Sequence, residues 1–197
     1  MTDDDLFRIA LGVCLALILP VALFHRLRSQ ATGEPLDRRQ EGWFILIALR
    51  LCGALAVLTV AAFLIDPTWL AWSAVPLPAT ARWVGVALLL LCGVLVAWTF
   101  HHLGRNLTDT VVTRRDHTLV TTGPYRWVRH PFYVAGLVGV VGVCLILANW
   151  FLLLFGGLAM ALLVVRTAKE EELLLARFGD DYRRYAERTG RFFPRWR

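Results

Sequence analysis

Apolar residues gather in five runs, 6–24, 43–65, 82–100, 131–148 and 149–165, divided by polar breaks. A hydrocarbon core of about 30 Å takes roughly 20 helical residues at ~1.5 Å each. The first three runs meet that length, and the last two barely do. Pro20 predicts a kink in the first run, and Arg8 can snorkel at its outer end. Arg50 lies inside the second run, so it must face the bundle interior or the span must begin later. Asn149 marks a tight turn, which makes the last two runs an antiparallel hairpin. The pattern stays helical beyond 165, now polar, as far as Phe178. Gly179 stops that helix, and Asp180 can cap a short one ending at Gly190. The expected fold is all-α and integral to a membrane, with about five transmembrane helices and a C-terminal helical hairpin. Residues 1–100 form three N-terminal spans and 101–197 a functional core.

Composition sharpens this picture. Of 197 residues, 57% are apolar and 18% charged, with mean hydropathy +0.57. A soluble domain carries about 45–50% apolar and about 25% charged residues. The net charge of +6 rests on arginine, because Lys169 is the sole lysine. The arginines flank apolar runs, so they fit lipid headgroups and topology; no nucleic-acid partner is expected. The basic loops 25–42 and 101–130 and the C-terminal segment lie opposite the acidic N-terminus and the 66–80 loop. The positive-inside rule then puts the N-terminus outside and the C-terminus in the cytoplasm. Cys14, Cys52, Cys92 and Cys144 sit in apolar runs without CxxC spacing, so zinc and disulfides are not expected. Asp3, Asp4 and Asp5 do not suit a signal peptide, and FPRWR is not a lipidation box.

Two polar patches carry the candidate chemistry. One is 117–133, HTLVTTGPYRWVRHPFY; the other is 166–172, RTAKEEE. The hairpin brings His130 and Pro131, at its start, beside Arg166 and Glu170, at its end. Arg166 and Glu170 are four apart and share a helix face. A gap between such groups suits a zwitterion, with cations for its carboxylate and a glutamate for its ammonium. Glu170, Glu171 and Glu172 cannot all share one face; Glu170 is the first choice and Glu171 the second. Each residue also has a plainer reading. Tyr125 and Tyr133 suit an interfacial belt, Arg166 a snorkelling anchor, and Arg129 a lipid phosphate contact. His101 and His102 lack a third ligand at useful spacing, so no metal site is expected. Arg183, Arg184, Arg188 and Arg191, with Tyr182 and Tyr185, suit a basic surface helix that can fold back over the site.

In order and spacing, HTLVTTGPYRWVRHPFY, a hydrophobic hairpin, RTAKEEELLLARFGDDYRRY and TGRFFP resemble the isoprenylcysteine carboxyl methyltransferase family over 106–194. The likeness to phospholipid methyltransferases is looser. The resemblance implies S-adenosylmethionine as cofactor and a cofactor site on the cytoplasmic side of the membrane. It implies that His117, Thr118, Leu119 and Val120 line the cofactor and that Tyr125 lies against it. It further implies that His130, Pro131, Phe132 and Tyr133, with Arg129 beside them, enclose its amino-acid end and adenosine. Glu170, backed by Glu171, takes its ammonium, and Arg166 is the catalytic and substrate-binding residue facing the methyl acceptor. The segment 110–116 lacks an amide side chain that eukaryotic members carry there. The implied reaction is methyl transfer to an amphiphilic, prenylated acceptor in the lipid bilayer, chiefly carboxyl O-methylation of an isoprenylcysteine-like thioether acid. The alternatives are a lipid amine N-methyltransferase, an NADPH-dependent membrane reductase using Arg114 and Arg115, and a non-enzymatic membrane scaffold.

Overall fold

The computed structural model describes residues 2–30, 43–104 and 118–195. His117, Arg114, Arg115 and the 110–116 segment singled out above lie outside the described residues. Among the described residues run α1 (Asp3–Gln30), α2 (Trp43–Ile65), α3 (Ala79–Leu103), α4 (Pro131–Leu147), α5 (Trp150–Phe178) and α6 (Asp180–Arg188). Four of them, α1 to His25 and all of α2, α3 and α5, are long and apolar enough to cross a membrane. The chain is an all-helical, multi-pass integral membrane protein.

Several boundaries differ from expectation for physical reasons. Of the five apolar helices among the described residues, four are of full spanning length and α4, with 17 residues, about 25 Å at the helical rise, is shorter. Helix α5 runs 29 residues without a break, carrying its apolar half straight into the polar RTAKEEE stretch. Pro20 sits inside α1 without ending it. Arg50 is exposed on α2, which begins at Trp43, so it neither faces the interior nor lies outside the helix. It is about 10 Å along the helix from Trp43, within reach of snorkelling. Gly179, with φ 53°, caps both α5 and α6, and Asp180 falls in the first turn of α6 instead of the cap.

The hairpin turn is built by two residues. Ala148 takes a left-handed conformation (φ 49°, ψ 53°), and Asn149 caps α5 by accepting from the Leu152 amide at 2.9 Å. The same Asn149 donates to Ser73 at 2.7 Å, and the Val75 amide donates to the Ala148 carbonyl at 2.6 Å. These bonds tie the hairpin to the α2–α3 loop at the end of the bundle far from the two polar patches. Arg82 closes that end: its Nε donates to the Ile146 carbonyl at 2.8 Å and its Nη1 pairs with Asp4 at 2.7 Å. Phe7, Leu11, Phe63, Leu89, Ile146 and Leu152 fill the core between these ties.

Helices α3 and α4 touch through glycine. A Cβ on Gly142 would meet the Gly85 carbonyl oxygen at 2.9 Å, and one on Gly85 would meet the Gly142 oxygen at 2.7 Å. Small residues let membrane helices pack backbone to backbone, where van der Waals contact replaces a hydrophobic drive that lipid does not supply. This packing sets where α4 starts, and so where His130 sits. Gly142→Val is expected to lower the melting temperature of detergent-purified protein, by about 1–3 kcal/mol of stability or more. Gly12→Ala, where nothing lies within 4 Å of the new methyl, should leave it unchanged or raised. Equal melting of Gly142→Val and wild type would contradict the packing.

Candidate functional site

The first patch is shaped by its own backbone. Gly123 has φ +59°, and a Cβ there would lie 2.4 Å from the His102 ring, so only glycine fits. A 3-10 turn, Gly123–Arg126, follows with Pro124 buried. The segment from Trp127 to His130 then pairs in parallel, through a bridge at Val128, with Gly190 and Arg191 beyond α6. The Gly190 amide donates to the Trp127 carbonyl at 3.1 Å, the Arg129 amide to Gly190 at 2.8 Å, and the His130 amide to Arg191 at 3.1 Å. Pro131 opens α4 at the first helical position, where its missing N–H costs nothing. The pairing therefore places His130 at the lip of α4 and lays residues 189–193 across it as a strap.

The second patch arrives on α5. Its Glu171 is a junction: Oε1 accepts from Arg129 Nε at 2.9 Å and lies 3.1 Å from His130 Nε2, and Oε2 accepts from Arg191 Nη2 at 2.9 Å. Arg129 reaches further, donating Nη1 to the carbonyls of Ala186 at 3.0 Å and Thr189 at 2.6 Å. Glu170 turns the other way. Its Oε1 accepts from the Tyr133 hydroxyl and stands 3.4 Å from Arg166 Nε, and its Oε2 lies 3.5 Å from His130 Nδ1. The His130 ring is thus held by a carboxylate at each nitrogen. Its faces are packed too, with the Tyr133 ring nearly parallel at 5.6 Å and Phe192 of the strap at 5.7 Å.

The electrostatics follow from this arrangement. Burial disfavours a charged imidazole at His130, but the bonds and charges of Glu170 and Glu171 outweigh it and raise its pKa above the ordinary value. Burial pushes the Tyr185 phenol up to about 12. It also raises Tyr125, helped by Tyr185 and Glu170, and Tyr182, helped by Glu171. The phenols around the cluster therefore stay protonated donors at neutral pH. One of them, Tyr185, donates to the Tyr125 carbonyl at 2.8 Å and pins the 3-10 turn to α6.

The structure brings together Arg129, His130, Tyr133, Arg166, Glu170 and Glu171, from both sequence patches. Glu170 lies near enough to help raise the Tyr125 phenol, so Tyr125 belongs to the same neighbourhood. Pro131 is buried at the head of α4. Phe132 stacks its ring on Phe100 of α3 at 5.4 Å and lies beside the Tyr133 ring at 6.1 Å. Thr118 is exposed and Leu119 and Val120 half-buried in irregular chain leading to the turn. Glu172 points outward and pairs with Lys169. What the sequence does not show is the strap: it groups Arg191 with a basic surface helix able to fold back over the site, whereas α6 ends at Arg188 and Arg191 lies beyond it, bonded to Glu171. The signal was Gly190, where a Cβ would fall 1.6 Å from the Phe193 carbonyl oxygen, marking a turn that only glycine can make.

Residues 84–176 match the isoprenylcysteine carboxyl methyltransferase (ICMT) family. The nickel-cobalt-cadmium resistance protein NccN of Alcaligenes xylosoxydans xylosoxydans is 39% identical over 114 residues, 57% of this chain and 53% of that protein. The protein-S-isoprenylcysteine O-methyltransferase of Schizosaccharomyces pombe is 34% identical over 94 residues, 46% of this chain and 40% of that protein. The chain thus spans about half the length, or less, of these curated relatives. The solved structure of the eukaryotic intramembrane Ras methyltransferase ICMT superposes with a TM-score of 0.56 at 24% identity, over 94% of this chain and 66% of that one. At that identity the likeness speaks for the fold.

The raised pKa of His130 has a stability consequence. The paired, protonated form contributes fully below the ordinary histidine value of 6.5, and the contribution fades as pH climbs through the higher folded value. The stability gap between wild type and His130→Gln should therefore narrow between neutral and alkaline pH. An NMR titration of the His130 ring is expected to give a midpoint above 6.5. A midpoint below that value would contradict the carboxylate pairing.

Proposed function

We propose, from the match of residues 84–176 to the isoprenylcysteine carboxyl methyltransferase family, that the chain methylates an amphiphilic acceptor held in the bilayer. The donor is S-adenosylmethionine, and the acceptor is the carboxylate of an isoprenylcysteine-like thioether acid. The observation that carries this reading is the meeting of Glu170 and Glu171 with His130 at the foot of an apolar hairpin, ringed by Arg129, Arg166 and Arg191. Similarity to protein-S-isoprenylcysteine O-methyltransferases supports the reaction class.

The residues fit a donor that bears both an ammonium and a carboxylate. Glu170, backed by Glu171, answers the ammonium. Tyr182 Oη is buried without a hydrogen-bond partner among the described residues, and an open donor of this kind suits a carboxylate. S-adenosylmethionine supplies, when bound, a methyl already activated by the sulfonium charge. The protein's task is then alignment more than acid–base chemistry. Glu170 receives the ammonium. Tyr125, His130, Pro131 and Tyr133 form the wall around the amino-acid end, with Thr118, Leu119 and Val120 before the turn and Phe132 at the outer edge. Arg166 holds one oxygen of the acceptor carboxylate while the other attacks. The apolar helices strip water from that nucleophile. An acceptor carboxylate is ionised near pH 7, so no strong general base is needed. The lipid tail lies between helices, and the site faces the cytoplasm with the N-terminus outside, an orientation supported by the arginine-rich loops.

Saturating S-adenosylhomocysteine is expected to raise the melting temperature of the detergent-purified protein. Glu170→Ala and His130→Ala should abolish the rise. With labelled S-adenosylmethionine and native membrane extract, the label should enter a lipid-soluble product and leave it in mild base, as an ester does. Absence of any shift at saturation would overturn the cofactor, and a base-stable label would turn the reading to an amine acceptor.

A further inference from the structure

The two glutamates of α5 do different work, and the difference lies in who holds them. Both oxygens of Glu171 are engaged, Oε1 by Arg129 and His130 and Oε2 by Arg191. Glu170 Oε2, in contrast, lies 3.5 Å from His130 Nδ1, longer than a firm hydrogen bond. Arg191 is carried by the strap, whose path is fixed by backbone pairing with 127–130 and by the Gly190 turn. One residue further on, Phe192 covers the His130 ring. A guanidinium on Glu171 therefore anchors the strap by a side chain, beside the cover it lays over the imidazole.

We propose that Arg191 is a positioning residue of the site: it commits Glu171 to holding the strap and the His130 ring, and leaves Glu170 as the carboxylate that meets the ligand. The last clause rests on the function proposed above; the first does not. Without the Arg191 guanidinium the strap keeps its backbone pairing but loses its side-chain anchor, and the cover of Phe192 over the imidazole loosens. The Glu171 carboxylate, now answered by Arg129 and His130 without Arg191, then turns more of its negative charge on the imidazole. The ring itself meets Glu170 and Glu171 from α5, Tyr133 from α4 and Phe192 from the strap. Behind them Arg166 faces Glu170, Arg129 and Arg191 face Glu171, and Tyr182 and Tyr185 of α6 lie near Glu171. Among these, Arg191 alone couples the strap to the carboxylates through its side chain.

The test compares Arg191→Gln, Arg191→Lys and, as a control on the exposed side of α6, Arg188→Gln. Two readouts are taken on the full chain: the His130 titration midpoint by NMR without ligand, and S-adenosylhomocysteine affinity by calorimetry. Arg191→Gln should raise the midpoint and weaken binding by about tenfold, the scale of one lost charge-assisted hydrogen bond. Arg191→Lys, which keeps a cation for Oε2, should stay close to wild type in both, as should Arg188→Gln. Where Arg191→Gln does not fold, Glu171→Asp serves instead: it draws the charge back from both arginines and should weaken binding on the same scale. An unmoved midpoint and affinity in Arg191→Gln would overturn the proposal. So would a loss in Arg191→Lys as deep as in Arg191→Gln, since that would mark a packing role. If wild type binds no S-adenosylhomocysteine, the donor reading fails, and the His130 midpoint still decides whether Arg191 positions the ring.

Discussion

A carboxylate near a membrane surface is expensive to bury unless its charge is answered on the spot. Glu171 is answered three times, by the neighbours Arg129 and His130 at the α4 lip and by Arg191 on the strap. Those partners are why the α4 lip, the end of α5 and the strap share one location. Removing one partner from a buried ion pair costs about 3–5 kcal/mol, because the other charge is left stranded. Glu171 and Arg129 are 20% and 12% exposed at the side chain, so their pair falls mostly within that regime. Arg191, at 38%, is more screened, and its bond to Glu171 is the weaker tie energetically.

The rest of the fold delivers these groups to each other. Asn149 and Ala148 reverse the chain in the smallest space available, so α4 and α5 must run side by side. Glycine contacts with α3 set α4 in depth, and Arg82 and Ser73 fasten the opposite end. The core of packed apolar side chains lies toward that fastened end. The site end is held instead by ion pairs and backbone pairing. A bundle closed firmly at one end and by polar contacts at the other can admit a charged ligand without opening its core.

Much of this was legible in the sequence because its signals are local. Run length gave the helices, Asn149 gave the reversal, and the four-residue step from Arg166 to Glu170 gave a shared face. The hairpin argument then carried His130 to the glutamates without any structural knowledge. What stayed hidden was long-range. Nothing in the run 180–193 says that Gly190 and Arg191 pair with 127–130, because a two-residue parallel bridge has no periodicity to read. The relative work of Glu170 and Glu171 was hidden for the same reason, since it depends on Arg191, 20 residues away. Phe132 sits in the motif yet turns to Phe100, because stepping one residue along a helix turns a side chain about 100°.

The central physical claim is that Arg129 and Glu171, 42 residues apart, hold each other across the hairpin. A double-mutant cycle on unfolding stability tests it most directly, with Arg129→Ala, Glu171→Ala and the pair combined. The account predicts that each single change is destabilising and that the double is less harmful than their sum, with a coupling of about 0.5–3 kcal/mol. Strict additivity would contradict it, for it would mean that the two residues do not meet.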